Sequence, residues 1–216
     1  MPQKRSFIEE EYALTGTPFK TWIATRLELQ AWVNREKELK RWNKVLDDSV
    51  KTPNTNFLVF IIGDYGMGKT LSLLKVVEEA KVKETIYPVY LNLLSEQRPK
   101  NPGLDFIQRI FRVIDFKFIK IKKEEVRFLQ NLFPEPASIF ETILFGQDPS
   151  QKQLCLAFLR GEVKPTQTQL KTMKVLRKIE DVEIAKEYLI GILYLLKASA
   201  FSTLLVATDE FEYLFS

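Results

Sequence analysis

The stretch GDYGMGKT, residues 63–70, constrains this chain more than any other feature. It follows the apolar run FLVFII, residues 57–62, and precedes LSLLKVVEEA. The eight residues match G-x-x-x-x-G-K-[ST], in which glycines let successive backbone N–H groups turn inward toward phosphates. That pattern needs a buried strand before it and a helix after it, and both are predicted here. The apolar run 57–62 predicts a buried parallel strand, and a helix is predicted from about Thr70 to Lys81. A glycine-rich turn with a chance lysine is the alternative.

The loop residues have separate predicted roles in holding a nucleotide. Lys69 is expected to place its ammonium on the β and γ phosphates, which is a binding and a catalytic role, and the Thr70 hydroxyl is expected to ligate Mg²⁺. The positive end of the following helix favours the same anion. The predicted nucleotide-binding residues of the loop are Gly63, Asp64, Tyr65, Gly66, Met67, Gly68, Lys69 and Thr70.

A second apolar run, FSTLLVATDE, is predicted to form a strand over about 203–208 that ends in Asp209 and Glu210. At the carboxyl end of a strand beside the loop, Asp209 can hold Mg²⁺ through water, and Glu210 can deprotonate the attacking water. An ordinary acidic turn after a strand is the alternative, and the complete phosphate loop disfavours it.

The remaining sequence divides into three predicted stretches. Asn34 is expected to cap a helix whose apolar face contains Leu39, Trp42, Val45 or Leu46, and Val50. TIYPVYLNL predicts a second strand over about 86–92, with Pro88 favouring an edge or a strand start. Residues 96–200 predict several helices, separated by RPKNPG, FPEP, GQDPSQ and GEVKPTQTQ, although the brief alternation in DFKFIKIKKEE suggests a short strand.

Composition narrows the chemistry that is open to this chain. The sequence has no histidine and one cysteine, Cys155, which excludes histidine-dependent triads and internal disulfides. The start lacks the apolar centre of a signal peptide and no run is long enough to span a membrane, so a cytoplasmic protein is expected. Residues 101–200 contain 16 Lys and Arg against 12 Asp and Glu. This excess of four positive charges equals the net charge of the whole chain, +4. A solvated surface explains such an excess, and contact with nucleic acid or an acidic partner is the other interpretation.

GDYGMGKT with LLVATDE resembles the additional-strand, catalytic-glutamate P-loop ATPases, in which these segments are the Walker A and Walker B motifs. VNREKELKRWNKVL resembles the box that opens AAA+ ATPases of the origin-recognition-like clade and STAND ATPases. That resemblance implies adenine contacts at Val33 and Asn34. It also implies that Asn92, at the end of VYLNL, is the switch residue that holds the catalytic glutamate inactive, although a simple strand-end asparagine is the alternative.

A narrower resemblance covers residues 154–214, where LCLAFLRGEV and the segment ending in LLVATDEFEYL are similar to a prokaryotic ATP-binding family that accompanies BREX phage-defence loci. About 140 residues separate the loop from the acidic pair, more than in compact ATPases of this class, so a helical insertion is expected. The sequence stops soon after Asp209, before the sensor strand and lid of such families. We therefore expect a truncated chain or the product of a degenerate gene, with an incomplete sheet, which binds ATP, turns it over slowly or not at all, and associates with copies of itself.

The sequence therefore predicts an α/β P-loop NTPase with a mostly parallel sheet. Its expected parts are an N-terminal extension (1–33), a first core part (34–95), a helical insertion (96–200) and the Walker B strand (201–216). For the intact protein, the expected activity is Mg²⁺-dependent hydrolysis of ATP to ADP and phosphate. The expected partners are DNA or a helicase and further copies of the chain, without membrane attachment. A STAND-type signalling switch is the main alternative, and a small-molecule kinase is a more distant one.

Overall fold

The computed structural model describes residues 35–52, 55–64, 67–93 and 99–214. The chain divides into two compact units, Met1–Glu79 and Ala80–Ser216. In the described ranges it forms two β-strands, β1 (Ile86–Asn92) and β2 (Thr203–Asp209), and two short 3-10 turns, Phe116–Phe118 and Phe211–Leu214. The α-helices in these ranges are α1 (Glu36–Lys51), α2 (Lys69–Lys81), α3 (Pro102–Val113), α4 (Lys123–Leu132), α5 (Pro134–Phe145), α6 (Pro149–Leu159), α7 (Gln167–Met173) and α8 (Val182–Ala198).

The first unit contains α1 and most of α2, which are joined by polar contacts. The Asn43 amide donates to Glu79 Oε2 at 3.4 Å, and the Ser72 hydroxyl donates to Glu38 Oε1 at 2.8 Å. The predicted apolar face of α1 is confirmed, since its five positions are all buried or half-buried, with Leu46 the most buried. The helix begins at Glu36, after Arg35 at the N-cap. The predicted cap, Asn34, lies outside the described residues.

The predicted strand at 57–62 is wrong: residues 55–64 have no regular secondary structure. Its large side chains are exposed, by 78% for Leu58, 63% for Phe60 and 93% for Ile62. An apolar run becomes a strand only where a neighbour supplies ladder hydrogen bonds. No described strand pairs with this run, and the sheet found in the described residues has two strands, both in the second unit.

The sheet of the second unit is parallel, as predicted. β1 and β2 pair in register from Ile86 with Thr203 to Asn92 with Asp209, so both strands end at the same edge. Both strands lie where the sequence predicts them. Pro88 sits within β1, opposite Leu205, and a proline is tolerated there because β1 pairs on one side only among the described residues. The described fold is thus α/β, mostly helical, with a small parallel sheet that is not closed.

The helices predicted over 96–200 are confirmed, and their starts have local causes. Four N-cap side chains accept a backbone N–H of the first turn, those of Asn101, Asp148, Thr166 and Asp181. Proline occupies the first helical position of α3, α5 and α6, where no N–H is needed. The polar, proline-containing breaks in the sequence are therefore helix starts.

The short strand suggested within DFKFIKIKKEE is also wrong. Residues Phe116–Phe118 form a 3-10 turn, because the Asp115 carboxylate accepts the N–H of Lys117 and favours a turn over an extended backbone. Phe116 and Ile119 are buried, whereas Phe118 is 60% exposed. The burial repeats every three residues and not every two.

The core of the second unit lies between the sheet and the helices and among the helices themselves. The ring of Tyr188 on α8 meets Phe140 on α5 and Phe158 on α6 edge-on, at centroid distances of 6.3 and 6.1 Å. All three rings are almost fully buried. Among the described helices, none is both long and apolar enough to cross a bilayer.

Candidate functional site

The phosphate-loop segment closes on its own lysine. Lys69 Nζ donates to the carbonyl oxygens of Gly63, at 2.7 Å, and Asp64, at 3.1 Å. The Met67 N–H donates to the Asp64 carbonyl at 3.3 Å, which bends the chain back over this short span. The structure thus brings the first two loop residues to the ammonium that the motif predicts for phosphate binding. Tyr65 and Gly66 lie outside the described residues, as do Val33 and Asn34.

The end of the loop is also the start of α2. The Ser72 N–H donates to the Gly68 carbonyl at 2.9 Å, and Lys69 is the first helical residue. The N–H groups of a first helical turn have no partner within the helix, and they favour an anion in front of them. Thr70, the predicted Mg²⁺ ligand, lies in this turn and is half-buried.

The two motif glycines differ in what the backbone requires. Gly68 has a φ of 80°, a conformation that other residues rarely adopt, and a Cβ there would lie 3.1 Å from Arg35 Nη2. At Gly63 the nearest atom to an added Cβ is the Met67 Cβ at 3.5 Å, an ordinary contact. The local backbone therefore requires glycine at position 68 and not at position 63.

Arg35 is a loop contact that the sequence analysis missed. Its Nη2 donates to the Met67 carbonyl at 3.0 Å, and its guanidinium lies 3.7 Å from the Glu38 carboxylate. Glu38 in turn accepts the Ser72 hydroxyl at 2.8 Å. These contacts tie the start of α1 to the loop and to the first turns of α2. The available signal was its position, directly after the predicted adenine contacts in VNREKEL.

In the second unit, the ends of β1 and β2 bring together the predicted switch and metal residues. Asn92 and Asp209 are register partners, and the Leu93 N–H donates to the Asp209 carbonyl at 3.1 Å. The Asn92 carbonyl accepts a hydrogen bond from Arg109 Nη1 at 3.3 Å, while Arg109 is also paired with Asp105 at 2.6 Å. Asn92 itself is exposed.

Asp209 is 8% exposed, and both of its carboxylate oxygens accept hydrogen bonds. The Tyr90 hydroxyl donates to Oδ2 at 3.1 Å, and the Glu210 N–H donates to Oδ1 at 3.1 Å. Burial, with the nearby Asp209 charge, raises the pKa of Tyr90 well above its usual value of 10.0, so this hydroxyl stays a donor through neutral pH. Sequence analysis missed Tyr90 because its role depends on the cross-strand register.

Glu210, the predicted base, follows the strand in an unusual backbone conformation. Its φ is 56°, in the left-handed region, and its side chain is half-buried. A non-glycine residue in this region is strained, and such strain concentrates at functional positions. The turn redirects the chain directly after Asp209, so Glu210 does not continue the alternation of β2.

The predicted residues therefore form two groups. Gly63, Asp64, Lys69 and Thr70 belong to the first unit, and Asn92, Asp209 and Glu210 belong to the second. Within the ranges that the structure describes, no cluster of three or more Cys, Asp or Glu residues could hold a metal ion alone. No protein-family model, no curated protein and no solved structure gave a significant match to the chain.

Proposed function

We propose that this chain is a Mg²⁺-dependent ATP-binding protein of the P-loop NTPase class, AAA+-like, which hydrolyses ATP to ADP and phosphate. The observation that carries the proposal is the loop that closes around Lys69 at the start of α2, with Gly68 at a positive φ. An ammonium, the N-terminus of a helix and a glycine turn at one place favour a phosphate chain.

The residues fit the proposed ligand and metal in kind. Lys69 would neutralise the β and γ phosphates in place of its present contacts with two carbonyl oxygens. Mg²⁺ prefers hard oxygen ligands and keeps several waters, so the Thr70 hydroxyl and the Asp209 carboxylate are each of a kind that suits this metal. When bound, the metal would withdraw charge from the phosphates. Tyr90 would hold the Asp209 carboxylate in a fixed orientation.

Glu210 is the proposed general base, and its carboxylate would accept the proton of the attacking water. The supporting observation is its position after the buried Asp209, at a backbone turn that aims it away from the strand alternation. We further propose that turnover serves work on a nucleic acid or a helicase partner, in the cytoplasm and in a homo-oligomer. A STAND-type switch would bind the same nucleotide and respond by changing its assembly.

Glu210→Gln tests the catalytic part of the proposal, because it keeps the size of the side chain and removes the base. We expect Mg²⁺-ATP affinity to stay within about twofold and phosphate release to fall by ~10²–10⁴-fold. Phosphate release by the wild type and the variant is measured at saturating ATP, with Glu212→Gln as the exposed control two residues away. Equal rates for Glu210→Gln and the wild type would remove Glu210 from the reaction. Nucleotide-dependent assembly without phosphate release would favour the switch.

A further inference from the structure

A surface of the second unit combines exposed aromatic rings with cations. We call it the α4–α8 surface, and define it by residues 117–128 together with Tyr194, Lys197 and Ala198. Phe118 and Phe128 expose 60% and 54% of their side chains. The Phe128 ring stacks on Tyr194 with centroids 5.6 Å apart and planes inclined by 20°. Exposed rings of this size leave apolar area in water, which is unfavourable unless a partner covers them.

Next to this aromatic pair is an open concavity of about 490 Å³, lined by Lys120, Ile121, Lys122, Glu125 and Ala198. Glu125 connects the two features, since its Oε2 accepts the Tyr194 hydroxyl at 2.9 Å. On α8, Lys197 lies three residues after Tyr194 and therefore on the same helical face. The Phe128–Tyr194 pair and the cationic concavity thus form one continuous surface.

The charge of this surface is positive. Six cations on it are exposed and form no ion pair with another described residue: Lys117, Lys120, Lys122, Lys123, Arg127 and Lys197. Two acidic residues lie on this surface, and Glu125 is engaged because it accepts the Tyr194 hydroxyl, which leaves Glu124. An anionic partner is therefore favoured.

The cations are not explained by the stability of α4. Lys122 occupies its N-cap without a side-chain cap bond, and Lys123 is its first residue. A positive charge at a helix N-terminus is unfavourable because it opposes the helix dipole. A merely solvated face would also not need stacked and exposed rings beside its lysines. The arrangement fits a partner that has both a chain of negative charges and planar rings.

We propose that the α4–α8 surface binds single-stranded nucleic acid. Bases would stack on Phe128 and Phe118, while phosphates would lie over the lysines of the concavity. A duplex would fit less well, because its bases are stacked on one another and are not free to stack on side chains. The proposal names the nucleic-acid partner of the proposed function, but the surface lies within the second unit and its binding needs no ATP.

The two parts of the surface are separable by their salt dependence. Lys120→Ala with Lys122→Ala should weaken binding of a labelled 20-nucleotide oligothymidine and reduce the slope of log K against log salt by about 1.4, or 0.7 for each lost phosphate contact. Phe128→Ala should weaken binding by ~10-fold and leave that slope unchanged. Both are measured by fluorescence anisotropy, without nucleotide, from about 50 to 200 mM salt.

Two control variants remove the same kinds of group elsewhere in the second unit, one of them two positive charges and the other an exposed apolar side chain. Lys164→Ala with Lys171→Ala removes two exposed lysines, and Leu176→Ala shortens a side chain that is 85% exposed. Both controls should bind as the wild type does. The titration contains no nucleotide, so its result is separate from that of nucleotide binding. Duplex DNA of the same length should bind more weakly and be insensitive to Phe128→Ala.

The proposal would be overturned if Phe128→Ala and the double lysine variant both bound the oligonucleotide with wild-type affinity. It would also be overturned if duplex and single-stranded DNA bound equally well and Phe128→Ala changed neither affinity. Absence of oligonucleotide binding, together with a Phe128→Ala effect on self-association or on a protein partner, would also overturn it and assign the surface to a protein contact.

Discussion

At Gly68 the backbone conformation and the neighbouring guanidinium both exclude a side chain. Its φ of 80° disfavours any L-residue, and an added Cβ would press on Arg35 at 3.1 Å. We expect Gly68→Ala to weaken Mg²⁺-ATP affinity by ~10-fold, because the left-handed conformation costs an alanine about 1–2 kcal/mol and the loop would shift to relieve it.

Gly63→Ala is the matched variant, since an added Cβ there meets only ordinary contacts at 3.5 Å. Its affinity should stay within about threefold of the wild type, a difference of about 0.6 kcal/mol. Calorimetric titration of both variants provides the comparison. Equal losses at the two positions would show that the conformation of Gly68 is not what the loop needs.

Individual residues also mark the limit of what the sequence could predict. Local patterns identified these candidates, since Lys69 and Thr70 end a contiguous motif at the start of a helix and Asp209 ends an apolar run. Arg35 and Tyr90 contact the loop and Asp209 through bonds that span 32 and 119 residues of sequence. No local pattern encodes such contacts, because they depend on how α1 meets the loop and how β1 registers with β2.

Among the elements, α5 and α8 make an unusually close contact at Gly191. An added Cβ would lie 2.7 Å from Phe140 Cε2 and 3.5 Å from Leu129 Cδ2. Alanine favours a helix over glycine by about 1 kcal/mol, but overpacking a buried ring costs about 1–3 kcal/mol, and Phe140 has no exposed area into which it can move.

We therefore expect Gly191→Ala to lower the free energy of unfolding by up to about 2 kcal/mol, the overpacking cost less the gain in helix propensity. Phe140→Leu in the same chain should recover part of this loss, because the smaller side chain leaves room for the new methyl group. Denaturant titration of the two single variants and the double variant measures the coupling. A more stable Gly191→Ala would show that propensity outweighs the contact.

The sequence was most informative where an element has a local cause. Strands 86–92 and 203–208 were predicted from apolar runs, and the helices of 96–200 from the polar, proline-containing breaks between them. The structure confirms both. The run 57–62 is as apolar as the strands, yet no described strand pairs with it. Pairing is a property of two segments, so one apolar run cannot predict it. At 116–118 a single cap, Asp115, outweighed the apparent alternation.

Across the whole molecule, the burial of tyrosine hydroxyls and of the cysteine thiol predicts that the folded state loses stability at alkaline pH. Burial raises the pKa of Tyr87, Tyr90 and Tyr188 above the usual 10.0, and raises the pKa of Cys155 from 9.0 to about 11. The unfolded chain releases these protons at lower pH than the folded chain does. Its free energy therefore falls relative to that of the folded state once the pH exceeds about 9.

We expect the melting temperature to fall as the pH rises through about 9 and above, with no contribution from these groups at neutral pH. Tyr188→Phe removes one of them, so the decrease in melting temperature between neutral and alkaline pH should be smaller in that variant. Scanning calorimetry at several pH values gives both quantities. A melting temperature that is constant to about pH 11 would contradict this linkage.

The proposed chemistry also divides at the scale of the molecule. The phosphate loop belongs to the first unit and the acidic residues belong to the second. Binding of the phosphates is proposed for the loop alone. The central claim is therefore that the loop holds the phosphates through Lys69, and this claim is independent of catalysis.

Calorimetric titration of Mg²⁺-ATP into the wild type, Lys69→Ala and Lys44→Ala tests that claim most directly. Lys44 is an exposed lysine of α1 in the same unit, so its variant removes the same charge away from the loop. We predict that the wild type and Lys44→Ala bind with similar affinity, while Lys69→Ala loses measurable binding because no other charge replaces its ammonium at the phosphates. Equal affinity of Lys69→Ala and the wild type would contradict the assignment of the phosphate loop.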